Sequence, residues 1–580
     1  MCFGLSASNT VETCNGDCTG YWVEQHGDSG RIQIDQPALL TEFENGFQIW
    51  GENASQPTDY FWGRTSRNTG QEVLKWFARG GAHLNYYMWW GGYNRGRSAA
   101  AGISNMYAAD GVLCPSGQRH HPKFEYLQSL HDMLATIAPA LLHRDSALHQ
   151  DKDLLVKNSN GEWALQGDQR MFEYGAQNTN GPGKDGDGGS ENGSLPHVIF
   201  VENDANFPVT AWVYGYGAVS LSPASVTVIV DGAVEFDSAI IDGQAEQYQR
   251  IFDEDTASEL SWTTQPEPLR LSEKDKKVTA STEPIEQTAL NIASDVSSDY
   301  AWYETNITLN ADMDDATLHI DTAEANSFVA YIDGQYVAEA NRHFHKEGLV
   351  TLDVPIGGID AGVHRLLLLS ESLGYDNLIG RWGVDTKRKM KGIVGSVVLG
   401  GSQDGSSTSI VVQSETMASG RRWLSFPGLH WDLGNIRNNN PNDGDDHDGS
   451  IEKTDVAAGI ATSSVQARWA QTTFQTPPFD SPHRSLFLKV SEGRGHIWLN
   501  GHDLGRFWNI TKAGSSNRPT QLYYQLPPDY LNKADGDAND LTIFDVFGSA
   551  HVTAQLVLSS LEVSAEPNFK DEVDYLDACI

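Results

Sequence analysis

The sequence predicts a multidomain chain that joins an α/β portion to all-β domains. Its 580 residues are too many for one hydrophobic core, so roughly three to five domains are expected. The α/β portion is predicted from two short apolar strands with a helical run between them, within residues 39–97. The all-β portion is predicted from short alternating strands and turn signals that recur from residue 296 onward.

Composition excludes some classes of partner. The formal net charge is −37, and a surface this acidic repels nucleic acid and anionic membranes, so neither is an expected partner. A neutral substrate such as a glycan is compatible with that charge. The chain has no run of about 18 apolar residues, so no membrane span is predicted.

The residues around Glu42 have the layout of a strand–helix–strand unit. The first strand lies in LLTEFENGFQIWG (39–51), the helix in QEVLKWFARGG (71–81) and the second strand in HLNYYMWWGGYNRGR (83–97). In such units, groups at the carboxyl ends of the strands carry the chemistry. Glu42 is a carboxylate between Leu40 and Phe43, a costly position unless it has a partner or a task.

Aromatic residues gather on the second strand of this unit. Tyr86, Tyr87, Trp89 and Trp90 precede Gly91 and Gly92. Rings of this kind cover the apolar faces of a pyranose, while a carboxylate acts on its reacting carbon. The pattern predicts a sugar site; the alternatives are a surface or capping carboxylate and rings that pack in a core.

The same residues resemble the family thirty-five glycoside hydrolases, the β-galactosidases. Residues 41–51 resemble the nucleophile segment of that family, and residues 85–97 resemble its Asn-Tyr-Tyr-Met…Gly-Gly-Thr-Asn-Phe-Gly-Arg segment. The resemblance is closer over 36–142 and looser over 296–562. It implies that Glu42 is the catalytic nucleophile, that Tyr87 contacts the galactose, and that the substrate is a β-galactoside or cell-wall glycan. It implies no cofactor and no metal, because both steps of the reaction use carboxylates. Phe47, an aromatic residue near the same strand end, is a further candidate for substrate binding.

Three residues depart from the family pattern. Phe47 stands where a tryptophan is common, Tyr93 where a threonine is found and Arg95 where a phenylalanine is found. These departures leave the role of Glu42 unchanged and bear on what the site prefers around the sugar.

The expected fold is a partial TIM (β/α)8 barrel followed by β-sandwich domains, which the resemblance makes jelly rolls of the galactose-binding-like kind. A closed barrel needs roughly 250 residues, and Glu42 lies only 41 residues after the start. The resemblance places Met1 near the end of the sixth barrel strand. It leaves out the Asn-Glu-Tyr segment whose glutamate is the general acid/base. We therefore expect a longer native transcript and little or no hydrolysis by this chain alone.

Composition and strand spacing predict the domain boundaries. Residues 1–150 are assigned to the barrel portion, 151–280 to a small β domain with flexible linkers, 281–435 and 436–562 to two jelly rolls, and 563–580 to an acidic tail. Polar linkers are predicted at 181–194 and 265–286, and a solvated acidic loop at 438–450. A helix is predicted over 122–142, and His120 and His121 before it are expected in a solvated loop.

Hairpins are predicted at three turn signals of type I′. These are Asp231-Gly232, Asp333-Gly334 and Asn500-Gly501, each flanked by apolar alternation. The last two belong to similar strand patterns, so one sandwich architecture is expected to occur twice.

Cysteine and glycosylation signals bear on localisation. Five cysteines do not make a disulfide scaffold, but the resemblance implies a local disulfide at Cys14 and Cys18. Acceptor triplets at Asn53, Asn192, Asn306 and Asn509 favour secretion, whereas the amino end has no signal peptide. We expect the full-length parent to be secreted, extracellular, or vacuolar/lysosomal.

Two other functions remain open. One is a carbohydrate-binding protein that uses its sandwiches, with Trp498 and Trp508 as a platform or as buried packing, and with a vestigial barrel. The other is a different glycosidase specificity on the same scaffold. His343 and His345 would share one face of a strand, but no third ligand is evident, so no metal is predicted. The sequence does not predict the oligomeric state.

Overall fold

The fold is known from a computed structural model. It describes residues 10–16, 22–23, 36–44, 46–49, 60–98, 105–108, 111–120, 123–142, 149–151, 154–157, 160–165, 168–175, 195–239, 248–296, 298–323, 326–342, 349–372, 390–412, 422–430, 465–478, 484–509, 522–532, 537–548 and 553–563. The predicted linker 181–194, the acidic loop 438–450, the residues His343 and His345, and the tail from 564 lie outside the described residues.

Within those ranges the chain is mostly β-sheet. The helices are α1 (Ser66–Ala78), α2 (Lys123–Leu142) and α3 (Gln287–Ala293), with short 3₁₀ turns at Gly96–Ser98 and Glu254–Thr256. The strands are β1 (Thr13–Asn15), β2 (Ala38–Glu44), β3 (Gly46–Ile49), β4 (Tyr60–Gly63), β5 (Gly81–Tyr87), β6 (His149–Asp151), β7 (Leu155–Lys157), β8 (Trp163–Leu165), β9 (Gln169–Tyr174), β10 (Val198–Asn203), β11 (Val209–Val213), β12 (Gly217–Leu221), β13 (Ser225–Val230), β14 (Ala233–Asp237), β15 (Tyr248–Phe252), β16 (Ser258–Glu259), β17 (Thr263–Pro266), β18 (Thr279–Ser281), β19 (Tyr300–Leu309), β20 (Met313–Ala323), β21 (Asn326–Ile332), β22 (Gln335–Arg342), β23 (Leu349–Ile359), β24 (Gly362–Ser372), β25 (Ile393–Gln403), β26 (Ser406–Val411), β27 (Trp423–Pro427), β28 (Arg468–Gln475), β29 (Ser485–Lys489), β30 (Gly493–Leu499), β31 (His502–Asn509), β32 (Tyr523–Gln525), β33 (Ala538–Asp545) and β34 (Gln555–Val563).

The predicted strand–helix–strand unit is confirmed. Strands β1, β2 and β5 form a parallel sheet in the order β1-β2-β5, and α1 lies between β4 and β5 in the chain. The hydroxyl of Thr65 caps α1 by accepting from the amide of Asn68. Trp76, fully buried, ties the helix to the sheet by donating from Nε1 to the carbonyl of His83 at 3.1 Å.

The small sandwich, residues 149–239, packs against this unit. Its two sheets have the orders β14-β13-β10-β9-β6 and β12-β11-β7-β8. Strand β10 is buried along its whole length, because one face packs on the second sheet and the other on the helices. The hydroxyl of Tyr126 on α2 donates to the carbonyl of Ser238 at 2.9 Å, and Arg79 and Glu202 form a buried ion pair at 2.6 Å.

The remaining sheets form a stack of four layers. The middle sandwich has sheets β23-β20-β25-β26 and β18-β27-β19-β24-β21-β22, and the carboxyl-terminal sandwich has sheets β17-β28-β33-β30-β31 and β15-β34-β29-β32 with β16 beside β34. On β24, Leu366 and Leu368 enter the core of the middle sandwich, while Leu367 and Leu369 pack against the carboxyl-terminal sandwich. Burial on both faces explains the unbroken run of leucines.

A buried charge cluster crosses this contact between the two sandwiches. Its members, each at most 3% exposed, are Asp299, Glu371, Arg494, His496 and Arg506. Arg506 Nη2 lies 2.7 Å from Asp299 Oδ2, and Arg494 Nε lies 2.9 Å from Glu371 Oε2. The cluster therefore joins strands about 200 residues apart in the chain.

The predicted hairpin turns are confirmed. Strands β13 and β14, β21 and β22, and β30 and β31 pair directly across their two-residue turns. Both residues of each turn have positive φ, as in Asp333 (51°) and Gly334 (81°). That conformation is the type I′ turn that Asp-Gly and Asn-Gly favour.

The Asp333-Gly334 turn carries an ion pair that depends on pH. Nδ1 of His364 lies 2.7 Å from Oδ2 of Asp333, and that hydrogen bond raises the pKa of His364 above its usual 6.5. The pair therefore stabilises the fold fully below about pH 6.5, and this contribution is lost as pH rises through the folded-state pKa. Replacing His364 by glutamine should lower the free energy of unfolding by less than about 1 kcal/mol at pH 5.5, because Asp333 is half exposed, and by less still at pH 9. Denaturant unfolding at both pH values measures this; equal losses would contradict it.

Other predictions about single segments had mixed outcomes. The helix predicted over 122–142 is confirmed as α2, with Leu127, Leu130 and Ile137 buried. The expectation of a solvated His120 is wrong, because the side chain is 1% exposed and Nδ1 is 2.8 Å from the carbonyl oxygen of Gly111. His121 lies outside the described residues.

Part of the predicted polar stretch 265–286 is buried. Glu267 is fully buried, and it accepts hydrogen bonds from the indole N–H groups of Trp469 at 2.7 Å and Trp302 at 3.3 Å. The same carboxylate accepts from the backbone N–H of His430 at 2.7 Å. These partners replace the hydration that a buried carboxylate loses.

Candidate active site

A bulge in β2 shapes the candidate site. Leu40 pairs with Leu84 and Phe43 with Tyr86, so Thr41 and Glu42 lie opposite the single residue Asn85. Bulges leave one residue unpaired and re-aim neighbouring side chains, and they are common beside active sites. Side chains hold the bulge at Thr41: Asn85 Nδ2 donates to the carbonyl of Thr41 at 2.9 Å, and Thr41 Oγ1 donates to the carbonyl of Cys14 at 3.0 Å.

Glu42 lies at the bulge with its backbone fixed and its side chain half-buried. Its carbonyl accepts from the amide of Gly16 at 2.7 Å, and its neighbours Leu40 and Phe43 are fully buried. Two residues further along the strand is Glu44, whose carbonyl accepts from Nε of Arg64 at 2.9 Å. The protein thus anchors the strand by its backbone and its apolar side chains.

The structure brings Tyr87 to the neighbouring strand end and adds a second tyrosine. Tyr87 pairs with Glu44 at the end of β5. Tyr107, from the turn at 105–108, is hydrogen-bonded to Tyr87. Burial raises the pKa of Tyr107, and the hydrogen bond to Tyr87 and the nearby carboxylates of Glu44 and Glu42 raise it further. Two carboxylates and two phenols therefore share one region at the carboxyl ends of parallel strands.

The other predicted aromatic residues on and after β5 are Tyr86, Trp89 and Trp90, and they differ in exposure. Tyr86 lies behind the site: its hydroxyl is 2.8 Å from Nε2 of His131, and its ring meets Phe43 edge to face. Burial raises the pKa of Tyr86 and lowers that of His131, so both are neutral near pH 7. Trp89 stacks on His131, whereas Trp90 is 53% exposed and donates from Nε1 to the carbonyl of Pro115 at 3.2 Å. Tyr86 and Trp89 are half-buried and pack against neighbouring rings, and Trp90 is the most exposed of the three.

For Phe47, the third predicted site residue, the structure describes the backbone only. Phe47 lies in β3 opposite Trp62, just after the strand that carries Glu42. Its side chain lies outside the described part of the structure.

Sequence reasoning missed Tyr107 and Glu44. Tyr107 lies in an irregular stretch without strand or helix periodicity. The only positional information in the sequence is that it follows Tyr87 by 20 residues. Glu44 had a local signal, since alternate residues of a strand share a face, and Glu42 and Glu44 are separated by that step.

The platform suggested for the carboxyl-terminal sandwich is mostly buried. Trp508 is 2% exposed and lies under Arg494, whose guanidinium carbon is 4.5 Å from the ring centroid. Trp498 is half-buried against Trp469, with ring centroids 5.5 Å apart. Buried packing, the alternative left open from the sequence, describes Trp508.

Among the residues that the structure describes, no three His, Cys, Asp or Glu side chains are grouped so as to hold a metal ion. No helix in that part of the chain is long and apolar enough to cross a membrane.

Two family models match separate parts of the chain. The model described as "Glycosyl hydrolases family 35" matches residues 4–134, which include Glu42, Phe47, Tyr87 and Tyr107. The model described as "Beta-galactosidase, galactose-binding domain" matches residues 467–537, within the carboxyl-terminal sandwich.

Curated relatives match over almost the whole chain. "Beta-galactosidase 8" of Arabidopsis thaliana is 24% identical over 93% of this chain and 58% of its own length. "Beta-galactosidase 6" of Oryza sativa subsp. japonica is 23% identical with the same coverage. The chain therefore spans just under three fifths of the curated relatives it matches.

Solved structures resemble the chain only weakly. The α-L-rhamnosidase of Dictyoglumus thermophilum is 11% identical and covers 73% of this chain and 46% of its own, with a TM-score of 0.17. That score carries no argument about function. The family models and the curated relatives confirm the resemblance carried by residues 41–51 and 85–97: the chain is similar to family 35 glycosyl hydrolases over residues 4–134 and to curated beta-galactosidases over most of its length.

Proposed function

We propose that this chain is the carboxyl-terminal portion of a retaining β-galactosidase with Glu42 as its nucleophile. The single observation that carries the proposal is the bulge at Thr41 and Glu42. It lies at the carboxyl end of β2, where Tyr87 and the hydrogen-bonded Tyr107 gather beside Glu42 and Glu44. Phe47, on the following strand, is proposed as a further substrate contact.

The reaction would proceed in two displacements at the anomeric carbon of a terminal galactose. In the first, a carboxylate oxygen of Glu42 bonds to that carbon while the bond to the leaving oxygen breaks and a general acid protonates that oxygen. In the second, water displaces Glu42 and gives its proton to the same group acting as base, so galactose leaves with retained configuration. Tyr87 and Tyr107 supply hydroxyl groups for hydrogen bonds to the sugar.

The sequence carries one member of the catalytic pair in this proposal. It contains no Asn-Glu-Tyr triplet, and the acidic residues before β2 have no apolar pocket in the sequence to raise a carboxyl pKa for acid catalysis. We therefore expect little or no hydrolysis of ordinary galactosides by this chain alone, and an active exo-acting enzyme in the full-length parent.

The proposed architecture is the last two or three units of a TIM barrel followed by three β domains. The parallel order β1-β2-β5 and the position of α1 support the barrel assignment. We also propose that the parent is secreted, extracellular, or vacuolar/lysosomal. The disulfide bonds at Cys14 and at Cys114 support an oxidising compartment.

Galactose binding tests the proposal without requiring turnover. Replacing Tyr107 by phenylalanine should weaken galactose affinity about tenfold, or ~1.4 kcal/mol, because a hydroxyl at the site and its hydrogen bond to Tyr87 are lost. Isothermal titration of the 580-residue chain with galactose measures this. The control is Tyr214→Phe, which alters a tyrosine that is 88% exposed on the small sandwich and should leave affinity unchanged. Equal affinities for both variants would contradict a sugar site at Tyr107.

A further inference from the structure

The structure assigns a positioning role to the carboxyl-terminal sandwich: we propose that Arg95 and Asn105 dock on it and thereby hold Tyr107 against Tyr87 beside Glu42. The inference rests on the proposed function for the identity of the sugar ligand. The docking itself stands on contacts between the loop residues 91–98 and 105–108 and the sandwich residues 502–506 and 530.

The first contact is a cation held between two rings. The guanidinium carbon of Arg95 lies 5.0 Å from the ring centroid of Tyr93 and 5.2 Å from that of Tyr530. Tyr530 is itself stacked on His502, with centroids 4.1 Å apart. A guanidinium within about 6 Å of a ring centroid is attracted to the ring face, and more strongly when water is excluded.

This contact explains two departures from the family pattern together. Tyr93 and Arg95 stand where the family has a threonine and a phenylalanine, and here they contact each other and the same sandwich ring. Their contacts point away from sugar selection and toward docking. The close approach continues at Gly96, where a Cβ atom would lie 3.4 Å from Oδ2 of Asp503.

The second contact is a buried hydrogen bond. Asn105 is 1% exposed, and its Nδ2 donates to the carbonyl of Arg506 at 2.5 Å. Gly505 has φ +113°, and a Cβ atom there would lie 3.0 Å from Oδ1 of Asn105, so the amide sits directly on the β31 backbone. The backbone of Asn105 also accepts from the amide of Asn94 at 2.7 Å, which joins the two parts of the loop.

The far side of this contact is held by the middle sandwich. Nη2 of Arg506 lies 2.7 Å from Oδ2 of Asp299 and donates to the carbonyl of Ser372 at 2.8 Å. Both partners are buried, so the segment of β31 that receives Asn105 has little freedom to move. The loop is therefore docked on a surface fixed from behind.

Docking at Asn105 is transmitted to Tyr107 over two residues. Met106 and Ala108 on either side of Tyr107 are each 1% exposed, and a Cβ atom at Gly91 would lie 2.4 Å from Cβ of Ala108. Tyr107 then reaches Tyr87 by a hydrogen bond. Displacement of a positioned group by about 1 Å typically costs on the order of 100-fold in rate, so such a support matters to a sugar site.

The test is a double-mutant cycle of Arg95→Ala and Tyr530→Leu in the 580-residue chain. Two quantities are measured: galactose affinity by titration, and amide hydrogen exchange in peptides covering 91–108. Each single variant should weaken galactose affinity about tenfold and speed exchange in those peptides. The double variant should lose little more than either single variant, because the two residues form one contact. Arg95→Lys should recover part of the loss, since a lysine keeps the cation–π attraction.

A matched control is available on the same portion of the chain. Arg119 lies over the ring of Phe124, with its guanidinium carbon 4.5 Å from the centroid. Arg119→Ala removes a similar contact within the α/β portion and should change neither galactose affinity nor exchange at 91–108. Asn105→Leu tests the second contact independently and should repeat the phenotype of Arg95→Ala.

The readouts separate this inference from the proposed function. If the unsubstituted 580-residue chain does not bind galactose, the proposed function is contradicted. In that case, amide hydrogen exchange at 91–108 still tests the docking. Faster exchange confined to those peptides in Arg95→Ala and Asn105→Leu supports the inference. The inference is overturned if both variants keep the exchange rates, the galactose affinity and the unfolding midpoint of the unsubstituted chain.

Discussion

Replacing Arg494 by methionine should lower the free energy of unfolding by about 3–5 kcal/mol. Arg494 is fully buried, with Nε 2.9 Å from Oε2 of Glu371 and Nη1 3.1 Å from Oε2 of Glu339. Its guanidinium also lies over Trp508. The replacement keeps much of the apolar volume but leaves Glu371 buried, with the hydroxyl of Tyr300 at 3.4 Å and Nε of Arg506 at 3.9 Å as its described neighbours. The loss of stability comes from leaving the Glu371 carboxylate buried without its closest ion-pair partner.

A second replacement separates the lost charge pair from the lost packing. The double variant Arg494→Met with Glu371→Leu removes the unpaired carboxylate as well. At least half of the stability lost in Arg494→Met should therefore return. Replacement of a buried pair by apolar side chains of similar volume is often neutral or stabilising. Denaturant unfolding of the unsubstituted chain, Arg494→Met and the double variant measures all three values. A loss below about 1 kcal/mol in Arg494→Met would contradict a stabilising role for this pair.

Features specified by short stretches were predictable from the sequence. The three hairpin turns followed from Asp-Gly and Asn-Gly, because those residues adopt positive φ at low cost. Helix α2 followed from leucines and isoleucine at three- and four-residue steps. Strands β2 and β5 followed from apolar runs, and the resemblance added the proposed role of Glu42.

Features that depend on distant partners were not predictable. The bulge at Thr41 depends on the register of three strands, and nothing local in residues 38–44 specifies it. Glu267 lies in a stretch rich in Lys and Glu that is typical of a linker, yet its partners Trp302 and Trp469 lie 35 and 202 residues away. A stretch rich in Lys and Glu is exposed to solvent on average. The burial of Glu267 depends instead on how the two sandwiches pack against each other.

The site itself was predicted in part for the same reason. Glu42 and Tyr87 belong to adjacent parallel strands, whose ends must meet at one edge of a sheet. Tyr107 reaches them from an irregular turn, whose position depends on a sandwich about 400 residues further along the chain. A local pattern cannot encode such a contact.

Covalent trapping of the sugar on Glu42 tests the proposed nucleophile without requiring full turnover. A 2-deoxy-2-fluoro-β-galactoside with an activated leaving group needs no protonation of that group, so the first displacement does not depend on a general acid. The electronegative fluorine destabilises the oxocarbenium-like transition state of the second displacement, so the glycosyl-enzyme accumulates.

The 580-residue chain is incubated with this reagent, and its intact mass and peptide map are recorded. We expect one fluorogalactosyl group per chain, attached to Glu42. The group should be absent in Glu42→Gln and retained in Glu235→Gln, which alters an exposed glutamate of β14. Labelling of a different residue, or equal labelling in Glu42→Gln, would contradict Glu42 as the nucleophile.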